Sequence, residues 1–101
     1  FAIYNLGQAN TQITNNNITV PTSAYGLYLN GYNTVENNNI QGLVYINGNN
    51  SVILNNNLTS NRSYTVELTN NAFNNSIRSN NISASIFIIL FNNYFPGKYN
   101  T

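Results

Sequence analysis

The sequence predicts an all-β solenoid of stacked parallel strands, about four to five coils deep, and three observations predict it. A six-residue phrase returns four times: Ile13-Thr14-Asn15-Asn16-Asn17-Ile18, Val35-Glu36-Asn37-Asn38-Asn39-Ile40, Ile53-Leu54-Asn55-Asn56-Asn57-Leu58 and Ile77-Arg78-Ser79-Asn80-Asn81-Ile82. Repetition near every twenty residues marks an architecture in which each repeat is one unit stacked on its neighbours. A second phrase alternates apolar residues with period two, as a strand requires. Finally, β-branched and aromatic residues fill the periodic positions and no stretch shows a period of 3.6, which disfavours helix.

Taken in order, the alternating phrases begin near 1, 26, 43, 65 and 86 and open one coil each of a single domain spanning 1–101. They are Phe1 to Asn5, Gly26 to Asn30, Leu43 to Asn47, Thr65 to Thr69 and Ile86 to Leu90. One face collects Ala2, Leu27, Val44, Val66 and Phe87 with Tyr4, Leu29, Ile46, Leu68 and Ile89, and is expected inward. Ile3, Tyr28, Tyr45, Glu67 and Ile88 are expected outward. Lengths between phrases vary while the phrases hold constant, as happens when turns absorb insertions and strands keep register. Each coil therefore reads as strand, turn, strand, Asn corner, third short strand and variable loop.

Parallel stacking places equivalent residues about 4.8 Å apart. The middle Asn of each run shares a face with the following Ile or Leu, so Asn16, Asn38, Asn56 and Asn80 are expected to point inward as a structural Asn ladder. A stacked amide can donate to the carbonyl oxygen of the next coil, so the column satisfies itself except at its two ends. Asn also tolerates the left-handed backbone that a tight corner needs.

These Asn-rich phrases resemble the short repeats of the pectin-lyase-like, right-handed parallel β-helix superfamily, particularly those of prokaryotic surface and periplasmic proteins. The resemblance covers nearly the whole chain and, with the crossover rule, implies a right-handed parallel β-helix. Enzymes of that superfamily use clusters of Asp with basic residues and often Ca²⁺, and this chain contains no Asp. The resemblance thus implies the scaffold without its chemistry.

Composition narrows the function classes further. Asn supplies 26 of 101 residues, yet 42% of the chain is hydrophobic and periodically placed, which argues for a fold over a disordered Asn-rich tract. With a net charge of +1, no His and no Cys, the chain offers no anion-steering surface for nucleic acid, no nucleophile triad and no zinc site. No apolar run is long enough to span a bilayer as a helix. Glu36 and Glu67 are the two acids, expected on unlike faces as solvated charges rather than as a catalytic pair. The reading expects no enzymatic activity, no cofactor and no metal.

Binding candidates remain. Tyr28 and Tyr45 are expected to stack on adjacent coils, with Tyr25 and Tyr32 close in sequence, as a glycan-binding platform or as cross-strand packing. Six N-x-[ST] sequons occur, at Asn17, Asn49, Asn57, Asn61, Asn74 and Asn81. The turn sites Asn49, Asn61 and Asn74 are favoured for glycosylation, because Asn57 and Asn81 would be crowded neighbours on one column. Thr11, Thr34, Ser51 and Ser76 suggest one imperfect hydroxyl column, a weak ice-binding signature.

The ends carry the functional expectation. Phe1 opens in a strand phrase, Asn100-Thr101 repeats the Asn33-Thr34 that opens a second strand, and the 86–91 strand is apolar on both faces. Phe1, Ile86, Ile88, Leu90 and Phe91 are therefore expected to form a self-association interface, with the chain itself as partner or with adjoining coils of a longer solenoid. The expected role is a structural subunit of an extracellular filament or surface layer, self-associating end to end. The alternative is a carbohydrate-binding or adhesive module of a larger surface protein.

Overall fold

The computed structural model describes residues 2–5, 10–21, 24–84, 89–91 and 101, with the main chain alone at Tyr4 and 89–91. Its strands are β1 (Ile3–Asn5), β2 (Thr11–Thr14), β3 (Asn17–Thr19), β4 (Tyr25–Leu29), β5 (Asn33–Glu36), β6 (Asn39–Gln41), β7 (Leu43–Ile46), β8 (Val52–Leu54), β9 (Asn57–Thr59), β10 (Val66–Leu68), β11 (Ser76–Arg78), β12 (Asn81–Ser83) and β13 (Ile89–Phe91). Among the described residues there is no helix. Every third strand joins the same sheet, giving the orders β1-β4-β7-β10-β13, β2-β5-β8-β11 and β3-β6-β9-β12, with every pairing parallel. This is a β-solenoid. The first and last of four stacked strands are three steps apart, so the described residues make about three turns, slightly fewer than the four to five coils expected, and β13 extends one sheet by a further rung.

The core runs up the axis. Leu27, Leu29, Val44, Ile46, Val66 and Leu68 from the first sheet meet Ile13, Val35 and Ile53 from the second and Ile18, Ile40 and Leu58 from the third. Most of these are wholly inaccessible, each worth about 1.5–3 kcal/mol of burial. The inward assignments of the middle three phrases therefore hold.

The first phrase is corrected by one residue. Ile3, Tyr4 and Asn5 pair with Leu27, Tyr28 and Leu29, so Ile3 packs on the core, Ala2 is exposed, and Tyr4 takes the register position of the outward tyrosines. In Phe1 to Tyr4 both alternating sets are apolar, so the hydrophobic pattern leaves register unspecified. In the last phrase Ile89 pairs with Val66, Leu90 with Glu67 and Phe91 with Leu68, two residues away from the expected alignment of Ile89 with Leu68. A two-residue slip keeps each residue on its side of the strand and changes only its position along the strand.

Two corners of each coil share one backbone device. Asn15, Asn37, Asn55 and Ser79 have φ of 58°, 58°, 55° and 56°, each immediately before a ladder Asn. Asn10, Tyr32, Asn50 and Asn74 have φ of 44°, 51°, 61° and 55° at the corner between the first and second sheets. A single left-handed residue turns the chain sharply, and Asn accepts that conformation at low cost. The third corner is tightened by glycine: a Cβ at Gly42 would lie 2.4 Å from Val20 Cγ2, and one at Gly26 would lie 2.8 Å from Ile40 Cγ2.

Candidate functional site

The inner Asn ladder forms as expected. Asn16 donates its main-chain N–H and its Nδ2 to Asn38 Oδ1 (2.8 and 3.1 Å), and Asn38 does the same to Asn56 Oδ1 (2.9 and 3.0 Å). Asn56 repeats it toward Asn80 Oδ1 at 2.8 and 3.0 Å. The Nδ2 groups of Asn38, Asn56 and Asn80 also donate back to the carbonyls of Ile13, Val35 and Ile53 at 2.8, 2.9 and 2.8 Å. Each interior Asn thus ties its coil to both neighbours. Desolvation makes these bonds obligatory, since Asn38 and Asn56 are only 3% and 2% exposed.

A second buried ladder, which the sequence reading did not foresee, occupies the other left-handed corner. Asn33 donates from its main-chain N–H and Nδ2 to Ser51 Oγ at 3.3 and 3.4 Å, and the Ser51 N–H donates to Asn75 Oδ1 at 2.9 Å. Asn5 Nδ2 donates to Asn33 Oδ1 above, and Asn75 Nδ2 to the Gly48 carbonyl. The available signal was a turn residue followed by Asn or Ser, hidden because Tyr32 interrupts it. The supposed hydroxyl column is corrected here: Thr11 pairs with Asn33 while Thr34 and Ser76 both pair with Val52, and Ser51 is buried.

Polarity follows from these ladders. In both inner ladders the bonds that end on a side-chain oxygen run from donor to acceptor toward higher residue numbers, while the Nδ2 groups that reach a main-chain carbonyl of the neighbouring coil run back. A solvent-facing ladder on the third sheet runs the other way, Asn39 Nδ2 to Asn17 Oδ1 (3.1 Å), Asn57 to Asn39 (2.9 Å) and Asn81 to Asn57 (3.2 Å). Among the described residues nothing donates to Asn16 Oδ1 or Asn81 Oδ1, and nothing accepts from the Asn80 main-chain N–H. Burial fades accordingly: Asn16 is exposed, and Asn80, Ile77 and Ile82 are half-buried.

The aromatic face lies on the outer side of the first sheet. Tyr28 and Tyr45 are in register and stacked, with centroids 4.7 Å apart and planes at 29°. Tyr25 sits 5.1 Å from Tyr45 and edge-on to Tyr28 at 6.1 Å, and the Arg62 guanidinium lies 5.8 Å from the Tyr25 ring centre. Residues three apart normally point to opposite faces. A register shift between Tyr25 and Leu27 supplies a bulge at Gly26 that brings Tyr25 and Tyr28 to the same side. Tyr32 is elsewhere, 46% exposed at its corner. Glu67 pairs with Tyr45 and is only 9% exposed, which corrects its reading as a solvated charge. Burial first, then Tyr28, Glu67, Tyr25 and Tyr64, push the Tyr45 hydroxyl above its ordinary range.

The other sequence candidates are dispersed. Asn61 is exposed in a bend; Asn49 is half-buried and bridges to Phe73; Asn74 is exposed but donates Nδ2 to Asn50 Oδ1. Asn17, Asn57 and Asn81 share the solvent-facing ladder, with Asn57 and Asn81 adjacent in register. Of the expected association residues, Phe1, Ile86 and Ile88 lie outside the described residues, as do the side chains of Leu90 and Phe91. Among the described residues no cluster of three or more metal-ligating side chains forms, and no helix is long and apolar enough to cross a membrane. No family model, curated protein or solved structure matches the chain.

Proposed function

We propose that the chain is a non-catalytic structural element of an extracellular filament or surface layer, lengthened end to end by further coils from another copy or from adjoining repeats. The observation that supports this reading is the chemistry of the ladder ends. One end of the inner ladder offers an acceptor, Asn16 Oδ1, and the other a donor, the Asn80 N–H. The solvent-facing ladder offers the complementary acceptor, Asn81 Oδ1, beside that donor. A further coil stacked parallel and in register matches the Asn80 N–H with an inner-Asn Oδ1 and Asn81 Oδ1 with an outer-Asn Nδ2, as each coil step within the chain does, so lengthening is head to tail. Open parallel edges are also association-prone unless covered. The low charge and lack of thiols suit a stiff fibre outside the cell. Electron microscopy of the purified chain at micromolar concentration tests it: uniform fibres support lengthening by further copies, and dispersed particles at every concentration contradict self-assembly and leave only adjoining repeats to lengthen the solenoid.

A second reading, a carbohydrate-binding or adhesive module, is favoured by the Tyr25, Tyr28 and Tyr45 cluster with Arg62 beside it. Against it, Tyr28 and Tyr45 turn their faces to one another rather than outward, where a sugar ring would stack. Replacing both with Ala and measuring glycan retention separates the readings: lost binding with an intact fold favours the adhesive module.

A further inference from the structure

We propose that the edge of the third sheet at β12 is a selective acceptor for one parallel strand carrying the inner-Asn, outer-Asn, apolar phrase. The inference rests on the structural reading above and names the partner at its open edge. The first sheet reaches a fifth rung in β13. The second begins a fifth rung at Thr101, whose N–H donates to the Asn75 carbonyl (2.8 Å) and whose carbonyl accepts from the Ile77 N–H (2.5 Å). Among the described residues the third sheet stops at β12.

The next rung is specified atom by atom. Within the solenoid each inner Asn N–H finds the Oδ1 of the next inner Asn, and each inner Asn carbonyl accepts from the residue that follows the next inner Asn, as the Asn56 carbonyl does from the Asn81 N–H at 2.8 Å. At the edge the Asn80 N–H and carbonyl and Asn81 Oδ1 have no such partner among the described residues. Ile77 and Ile82 are half-buried where Ile53, Val35, Leu58 and Ile40 above them are wholly buried. A strand with Asn at the inner position supplies Oδ1 to Asn80 and Nδ2 to the Ile77 carbonyl, repeating the bond from Asn80 to Ile53. Its following residue donates to Asn81 Oδ1 if it is Asn, and its next apolar residue covers Ile82. Leu at the inner position leaves the Asn80 N–H without an acceptor, and an Asp carboxylate has no N–H to donate to the Ile77 carbonyl. This is strand addition to an open edge, with specificity set by alternate side chains.

Register makes the test direct. Thr101 lies opposite Ser76, which shares a column with Val52 and Thr34. A copy of residues 35–41 appended after Thr101 therefore falls on Ile77 to Ser83. Two tails are compared by amide hydrogen exchange: that copy, and the same tail with leucine in place of its inner asparagine. The expected result is slowing of exchange at the Asn80 amide by about tenfold or more with the copy, the size of one further net hydrogen bond, and no change with the leucine tail. Equal protection by both tails, or by neither, overturns the proposal. If the copy protects Asn80 while the unextended chain forms no fibres, the edge is selective and the self-assembly reading fails. Fibres from the unextended chain without protection by either tail place the contact elsewhere and overturn the proposal alone.

Discussion

Two corners of each coil meet the same demand with different residues. Both use one left-handed residue followed by an inward polar side chain. At the corner between the second and third sheets the inward residue is always Asn, and the bonds along the column span 2.8–3.1 Å. At the corner between the first and second sheets Ser51 interrupts the column, and the bonds it accepts lengthen to 3.3 and 3.4 Å. An amide carries an acceptor and two donors, so one Asn can reach the coil above and the coil below, whereas a hydroxyl has one proton and a shorter reach. The regular corner can continue from coil to coil without adjustment.

The difference can be broken at its strongest point first. Asn56→Leu removes the acceptor of the Asn38 N–H and Nδ2 together with the donor to the Val35 carbonyl. Leaving several buried groups unsatisfied is expected to cost about 3 kcal/mol or more, read from urea unfolding. Ser51→Ala, at the irregular corner, is expected to cost less, about 1–2 kcal/mol. Equal losses would mean that the corners do not differ.

Smaller changes sharpen the same contrast. Tyr32 holds φ 51° with an exposed ring, and Ser79 holds φ 56° where the other coils have Asn. Tyr32→Asn and Ser79→Asn are each expected to stabilise by about 0.5 kcal/mol, through relief of left-handed strain, and to raise the melting temperature. Asn39→Ala cuts the solvent-facing ladder, where water replaces the lost bonds, so thermal unfolding is expected to move by less than about 0.5 kcal/mol.

The aromatic face gives a pH signature that the corners lack. Burial raises the Tyr45 hydroxyl in the folded chain above the 10.0 of a free tyrosine. The neutral form is favoured on folding, so its contribution is fully present below pH 10 and is lost as pH rises through the raised folded value. Denaturant unfolding between pH 8 and 11 is expected to show that decline, and Tyr45→Phe to flatten it. An unchanged slope in the variant would remove Tyr45 as its source.

Much of the fold was legible because the regular corner repeats a visible phrase. Asn16, Asn38, Asn56 and Asn80 could be placed inward from their two-residue offset to Ile18, Ile40, Leu58 and Ile82. The second ladder was not legible, since Thr11, Asn33, Ser51 and Asn75 share a position but not a residue type. Nor was the Tyr25 contribution, because a bulge at Gly26 overrides the period-two rule. Register failed at Phe1 to Asn5, where both alternating sets are apolar and either alignment buries hydrophobic surface. Of the association residues, the structure describes only the main chain of Leu90 and Phe91, within β13.

The most direct measurement is amide hydrogen exchange at Asn38, Asn56 and Asn80, taken on dispersed and on concentrated, assembled protein. The account predicts slow exchange at Asn38 and Asn56 in both states, with Asn80 fast when dispersed and slow once assembled. An Asn80 amide as slow as Asn38 in the dispersed chain would show the edge already closed and would contradict lengthening through it.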